Sequence, residues 1–235
     1  MLAERELRQA LAALPALPLH GPFNRFVPFD AMVSPRSLQF LRASSPGITA
    51  GVDAQGEPVF YVDLATPPQR PLWGIGSIKN GGRYNKLETF EVIYLAEDPI
   101  TALAEVNLVF RPNAALGKIK GPPMVHIAVE GILERILDLT LADSQSALAT
   151  SHQELTGAWL WEQDKTGEAP TQRLGRVAFE SGRLCGLRYP SSKNPGGTCV
   201  AVFPDRLVGG SYLEVFDPFD NLAQRIPPGP QTSQK

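Results

Sequence analysis

Apolar positions along the chain alternate between a helical spacing and a strand-like spacing, with proline- and glycine-rich breaks between them. Residues 2–14 place Leu7, Leu11 and Leu14 on one face of a helix that Pro15 ends. FNRFVPF, 23–29, reads as a short strand with Arg25 opposite Phe26. SPRSLQFLRAS, 34–44, opens as a helix, with Ser34 at the N-cap and Pro35 at N1. Strands are predicted at 58–64, 89–96, 125–131, 187–190, 198–203 and 212–216, where β-branched and aromatic residues concentrate. ILDLTL, from 136, reads as extended. Further helices are predicted at 99–110, 152–163 and from Pro170 onward, the last with Leu174, Val177 and Ala178 on one face.

The order of these elements lacks a regular strand–helix–strand alternation. It predicts an α+β fold with a bent or split sheet rather than a doubly wound one. A helix and linker are expected over 1–19 and one domain over 20–218. The proline-rich tail, 219–235, ends in IPPGPQTSQK, which has no apolar face and is expected to be disordered.

The helix over 99–110 carries the first chemical anomaly. Eight of its twelve residues are apolar and they cover every face, as in an interior helix, yet Glu105 sits among them. A buried carboxylate needs hydrogen bonds, a cation or a function. A structural ion pair, or a helix that surfaces there, explains it as well. Arg83 follows Gly81-Gly82, a pair that lets a ligand approach the backbone, and an arginine there can clamp a phosphate bidentately. A solvated surface turn is the plain alternative. Tyr94, on the strand leading to the helix, reads as a core tyrosine or as a plate for a flat ring. Ser191 lies at a strand end ahead of a glycine-rich loop, in RYPSSKNPGG, where an ordinary turn is equally natural. It lacks a nucleophile-elbow context and a nearby histidine base.

Composition narrows the field. A net charge of −2 over 235 residues gives no basic field for nucleic acid or an anionic membrane. No apolar run approaches the length of a membrane span, and the N-terminus lacks the pattern of a signal peptide. Cys185 and Cys199 are too few for a disulfide framework and read as buried thiols in a reducing compartment, so a cytoplasmic location is expected. His20, His126 and His152 show no metal-ligand spacing. A homo-oligomer is compatible with all of this.

Taken in order, GGRYN, IYLAED and TALAEV resemble the RES-domain family, named for its arginine, glutamate and serine. Arg83 to Tyr94 and Tyr94 to Glu105 are both eleven residues. ILDLTL, PTQRLGRVAFESGRLCGLRYPS, GGTCVAVF and FNRF extend the resemblance over roughly 20–205. Tyr84 stands where the family usually has tryptophan, and the pair Ser191-Ser192 leaves two positions for its serine.

The resemblance implies an ADP-ribosyltransferase-like fold and a toxin that consumes NAD+, paired with an Xre-type antitoxin that occludes its active site. NAD+ is then a substrate, and no resident cofactor is implied. The implied roles place Glu105 beside the nicotinamide-side ribose and Arg83 with Arg25 on the diphosphate. Tyr94 addresses the nicotinamide, Tyr84 and Asn85 line the pocket, and Ser191 contacts the ribose or amide. The activities implied are NAD+ glycohydrolase or phosphorylase, with mono-ADP-ribosylation of a protein as the alternative. A non-catalytic nucleotide-binding module and an effector delivered into another cell are the remaining readings.

Overall fold

The structure, a computed structural model, describes residues 1–28, 51–52, 58–59, 71–106, 124–217 and 224–228. The helix expected at 34–44, most of the strand at 58–64, residues 107–110 and the chain end beyond 228 lie outside the described residues.

Strand β6, Met124–Asp138, organises the sheet. Its first half pairs antiparallel with β2, Phe23–Pro28, and its last three residues run parallel to β7, Gly186–Pro190. Strand β2 meets β5, Ile93–Ala96, which pairs with β8, Thr198–Val202, and β8 pairs in turn with β7. The path β6–β2–β5–β8–β7 thus returns to β6, and the sheet is bent almost into a barrel. Strands β1, Leu17–His20, and β9, Tyr212–Val215, pair with β6, and β10, Arg225–Ile226, borders β9. A separate two-stranded piece joins β3, Gly51–Val52, to β4, Pro58–Val59.

Strand alternation divides the core in two. Ile93, Leu95, Val200 and Val202 face an inner cluster with Phe23, Ile127, Val129 and Leu133. Tyr94, Ala96, Cys199 and Ala201 face the opposite side, where the helices pack. Helix α1, Glu4–Ala13, buries Leu7 and Leu11 there, each worth roughly 2 kcal/mol. It lies against the helix Pro170–Glu180 through an ion-pair net in which Arg176 binds Glu4 and Glu168, and Arg8 binds Glu4 and Glu180.

Several expected elements take different bounds. The strand expected from 89 begins at Ile93, because Phe90 and Val92 fill the core beneath the preceding turn instead. Of ILDLTL, expected to be extended, residues 136–138 end β6 and 139–141 form a turn. The helix expected at 152–163 is two, His152–Thr156 and Trp159–Thr166, broken at Gly157-Ala158. Leu17–His20 and Arg225–Ile226, expected in linker and tail, are edge strands. Short helices at Ile75–Asn80 and Ala142–Ala147 were not expected at all. In chain order the described α-helices are α1 (4–13), α2 (75–80), α3 (Pro99–Glu105), α4 (142–147), α5 (152–156), α6 (159–166) and α7 (170–180). None of them is long and apolar enough to cross a membrane.

Candidate active site

A cleft of about 1050 Å³ opens on the helical side of the sheet. This is at the upper end for small-ligand sites. Strand β2 brings Asn24, Arg25 and Phe26 to it, the GGRYN turn brings Arg83, and β5 brings Tyr94. Helix α3 brings Glu105, and the loop after β7 brings Ser192 and Lys193. The break between α5 and α6 supplies Gly157, Ala158 and Trp159. Among the described lining residues three side chains are cationic, Arg25, Arg83 and Lys193, and one is anionic, Glu105.

The Arg83 turn is tied from below. The amide of Tyr84 donates to the Tyr94 hydroxyl (2.9 Å), which donates to Asn85 Oδ1 (2.9 Å). Asn85 Nδ2 donates to the Ser77 carbonyl (2.7 Å), and Gln172 Nε2 donates to the Gly82 carbonyl (3.0 Å). Gly82 is required by closeness: a Cβ there would lie 2.5 Å from the Tyr94 hydroxyl. Burial pushes the Tyr94 phenol well above its ordinary range, so it remains a neutral donor at physiological pH. From this turn, Arg83 Nη1 reaches the carbonyls of Leu155 and Gly157, both at 2.9 Å, which caps the end of α5 and fixes the opposite wall.

Arg25 donates to the carbonyls of Pro71 (3.1 Å) and Trp73 (3.0 Å). Burial lowers its guanidinium to about 10, opposed by nearby Glu91, and it stays cationic at neutral pH.

Helix α3 begins as its sequence dictates. The Asp98 side chain accepts from the Thr101 amide (2.8 Å), and Pro99 occupies the first turn. The helix is not buried on every face. Ile100 is 68% exposed, and Thr101, Ala102 and Ala104 form the buried side. Glu105 is its last helical residue, half-buried, at the end where the helix dipole disfavours a negative charge. The 191–197 loop compensates. Ser191 Oγ donates to Glu105 Oε1 (2.5 Å), the Ser192 amide donates to the same oxygen (3.2 Å), and Cys199 Sγ lies 3.8 Å from it. Asn194 Nδ2 donates to Thr101 Oγ1 (2.8 Å), which clips the loop onto α3. Gly197 permits this contact, since a Cβ there would lie 2.2 Å from Thr101 Oγ1.

The structure therefore brings Arg25, Arg83, Tyr94 and Glu105 around one cleft. Tyr84, Asn85 and Ser191 do not line it. Tyr84 and Asn85 are fully enclosed, the Tyr84 ring edge-on to Tyr189 at 4.6 Å, and Ser191 is 5% exposed behind Glu105. Their side chains lie behind the cleft lining and support it. Lys193, Cys199, Asn24 and Trp159 escaped the sequence reading. Lys193 directly follows the serine pair but reads as a solvated loop charge. Trp159 disappears inside a helix that Gly157 in fact breaks.

The RES domain family matches residues 59–215, about two thirds of the chain. No curated protein matches it in sequence. Among solved structures it is similar to the M. tuberculosis MbcT-MbcA toxin-antitoxin complex, at 18% identity with a TM-score of 0.55, over 95% of this chain and 93% of that one. The two share an α+β fold, which in this chain is a bent mixed sheet with flanking helices.

Proposed function

The chain belongs to the RES-domain family, and from that premise we propose that it is a toxin that breaks the nicotinamide–ribose bond of NAD+. The observation that carries this reading is that, among the described lining residues, Glu105 is the one carboxylate, pinned at the edge of a cleft whose other charged groups are cations. Loss of nicotinamide proceeds through an oxocarbenium-like transition state, as in glycoside hydrolysis. A fixed carboxylate beside the ribose stabilises the developing positive charge, and the cations hold the diphosphate. Arg25 and Arg83 serve that second role. Both are already anchored to backbone carbonyls, so little freedom is lost when the substrate binds. The Tyr94 ring faces the cleft while its hydroxyl is occupied below, which suits a ring-positioning role for the nicotinamide.

Water and phosphate are the proposed acceptors, giving ADP-ribose or its 1″-phosphate. An antitoxin belongs to the same reading, since a similar solved structure is a toxin-antitoxin complex. Leu160 and Trp161 on α6, each 56% exposed, stand at and beside the cleft. An Xre-type protein seated on them would close the entrance, and the cytoplasm, where NAD+ is held, is the place of action.

Nicotinamide release is to be followed with purified protein and NAD+, with and without inorganic phosphate and with a mixture of candidate protein acceptors. Free ADP-ribose or its phosphate supports the reading. ADP-ribose bound to protein converts it to a mono-ADP-ribosyltransferase. Tight NAD+ binding with no nicotinamide released overturns it in favour of a binding module.

A further inference from the structure

Resting on that reading, we infer that Glu105 works through one oxygen only: Oε1 is held in a cradle of three donors, Ser191, the Ser192 amide and the Cys199 thiol, so that Oε2 addresses the substrate. Three donors converge on Oε1, and among the described residues no hydrogen bond reaches Oε2. A carboxylate whose two oxygens are treated so unequally is aimed as well as held.

Ser191 has no capacity left for a ligand. A hydroxyl offers one donor and two acceptor positions. The amides of Lys193 (3.1 Å) and Asn194 (3.0 Å) both donate to Ser191 Oγ, which leaves its hydrogen for Glu105. The chain of bonds runs from the loop backbone through Ser191 to the carboxylate. Ser191 is thus a positioning residue.

Cys199 completes the cradle from the sheet. It sits on β8 opposite Ala96, lines the cleft floor and is 2% exposed. Burial and the neighbouring Glu105 carboxylate push its thiol well above the ordinary range. It therefore keeps its proton and serves as a weak donor rather than a nucleophile. Ser191 and Ser192 lie in the loop that joins β7 to β8, which Asn194 clips to α3, and Cys199 is set by the register of β8.

Two measurements test the cradle, one without turnover. Removing a donor that acts only through Glu105 lowers kcat and leaves KM alone, because the loss is felt in the transition state. Ser191→Ala is expected to lower kcat about 10- to 100-fold with KM within about twofold, and Ser191→Thr, which keeps the hydroxyl, to recover most of it. Cys199→Ala is expected to lower kcat about threefold, again at constant KM. A rise in KM with unchanged kcat for Ser191→Ala makes it a substrate contact and overturns the inference. The second measurement is the infrared S–H stretching band of Cys199, identified by its loss in Cys199→Ala. In Glu105→Ala the band is expected to move to the frequency of a thiol without a carboxylate acceptor, and an unmoved band overturns the cradle. If the wild type releases no nicotinamide, the functional reading fails while the infrared result still decides the cradle.

Discussion

Tyr94→Phe removes one oxygen and leaves the ring in the cleft, so it separates the two roles of this residue. The lost hydroxyl accepts from the Tyr84 amide and donates to Asn85 Oδ1, each at 2.9 Å, and both partners are fully buried. Leaving a buried polar group unpaired costs about 1–3 kcal/mol, and two such groups with some relaxation cost about 2–4 kcal/mol together. For a chain of this size that is a fall in Tm of about 5–15 °C. The damage is not confined to stability. The same bonds hold the turn that carries Arg83, whose Nη1 braces Leu155 and Gly157 across the cleft. On the proposed function, KM for NAD+ is therefore expected to rise about tenfold, while the ring proposed to face the nicotinamide is retained. The assay is thermal unfolding by circular dichroism together with steady-state kinetics of nicotinamide release. A variant that melts within about 1 °C of wild type with unchanged KM refutes the view that this hydroxyl supports the Arg83 turn.

Other perturbations address separate parts of the site. Gly197→Ala drives a Cβ into Thr101 Oγ1 and Asn194, pushes the loop off α3 and is expected to lower kcat at least tenfold with a native far-ultraviolet spectrum; wild-type kcat contradicts this. Asp98→Ala removes the cap of α3, with an expected loss of about 1 kcal/mol in chemical denaturation, and no change in midpoint excludes a role for the cap. Burial raises the phenols of Tyr84, Tyr94 and Tyr189 above their ordinary value of 10.0. Above pH 10 the unfolded chain releases protons that the folded one retains, so stability falls as pH rises from there, and denaturation midpoints compared between pH 8 and 11 should show it.

The sequence was most informative where local rules and tertiary demands agree. Asp98-Pro99 predicts the start of α3, and Leu174, Val177 and Ala178 predict the buried face of α7, because capping and helical period are local signals. Arg83, Tyr94 and Glu105 were legible as one group only through their order and spacing, each alone having a plainer explanation. What stayed hidden depends on packing over long separations. The carboxylate cradle joins Glu105 to residues 86 and 94 positions away. Tyr84 and Asn85 sit in the motif beside Arg83, yet they point into the core, and no periodicity spans a four-residue turn to reveal that. The break at Gly157 is invisible because the flanking apolar pattern continues across it, and only the Arg83 contacts to Leu155 and Gly157 show why the chain turns there.

The most direct test of the account is nicotinamide release from NAD+ by wild type and by Glu105→Gln, with NAD+ binding measured on both. Glutamine keeps the size of the side chain and removes the negative charge proposed to stabilise the developing cation. The account predicts steady release by the wild type and a rate at least about 100-fold lower for the variant, with affinity changed only a few-fold. A Glu105→Gln protein that releases nicotinamide at the wild-type rate contradicts it.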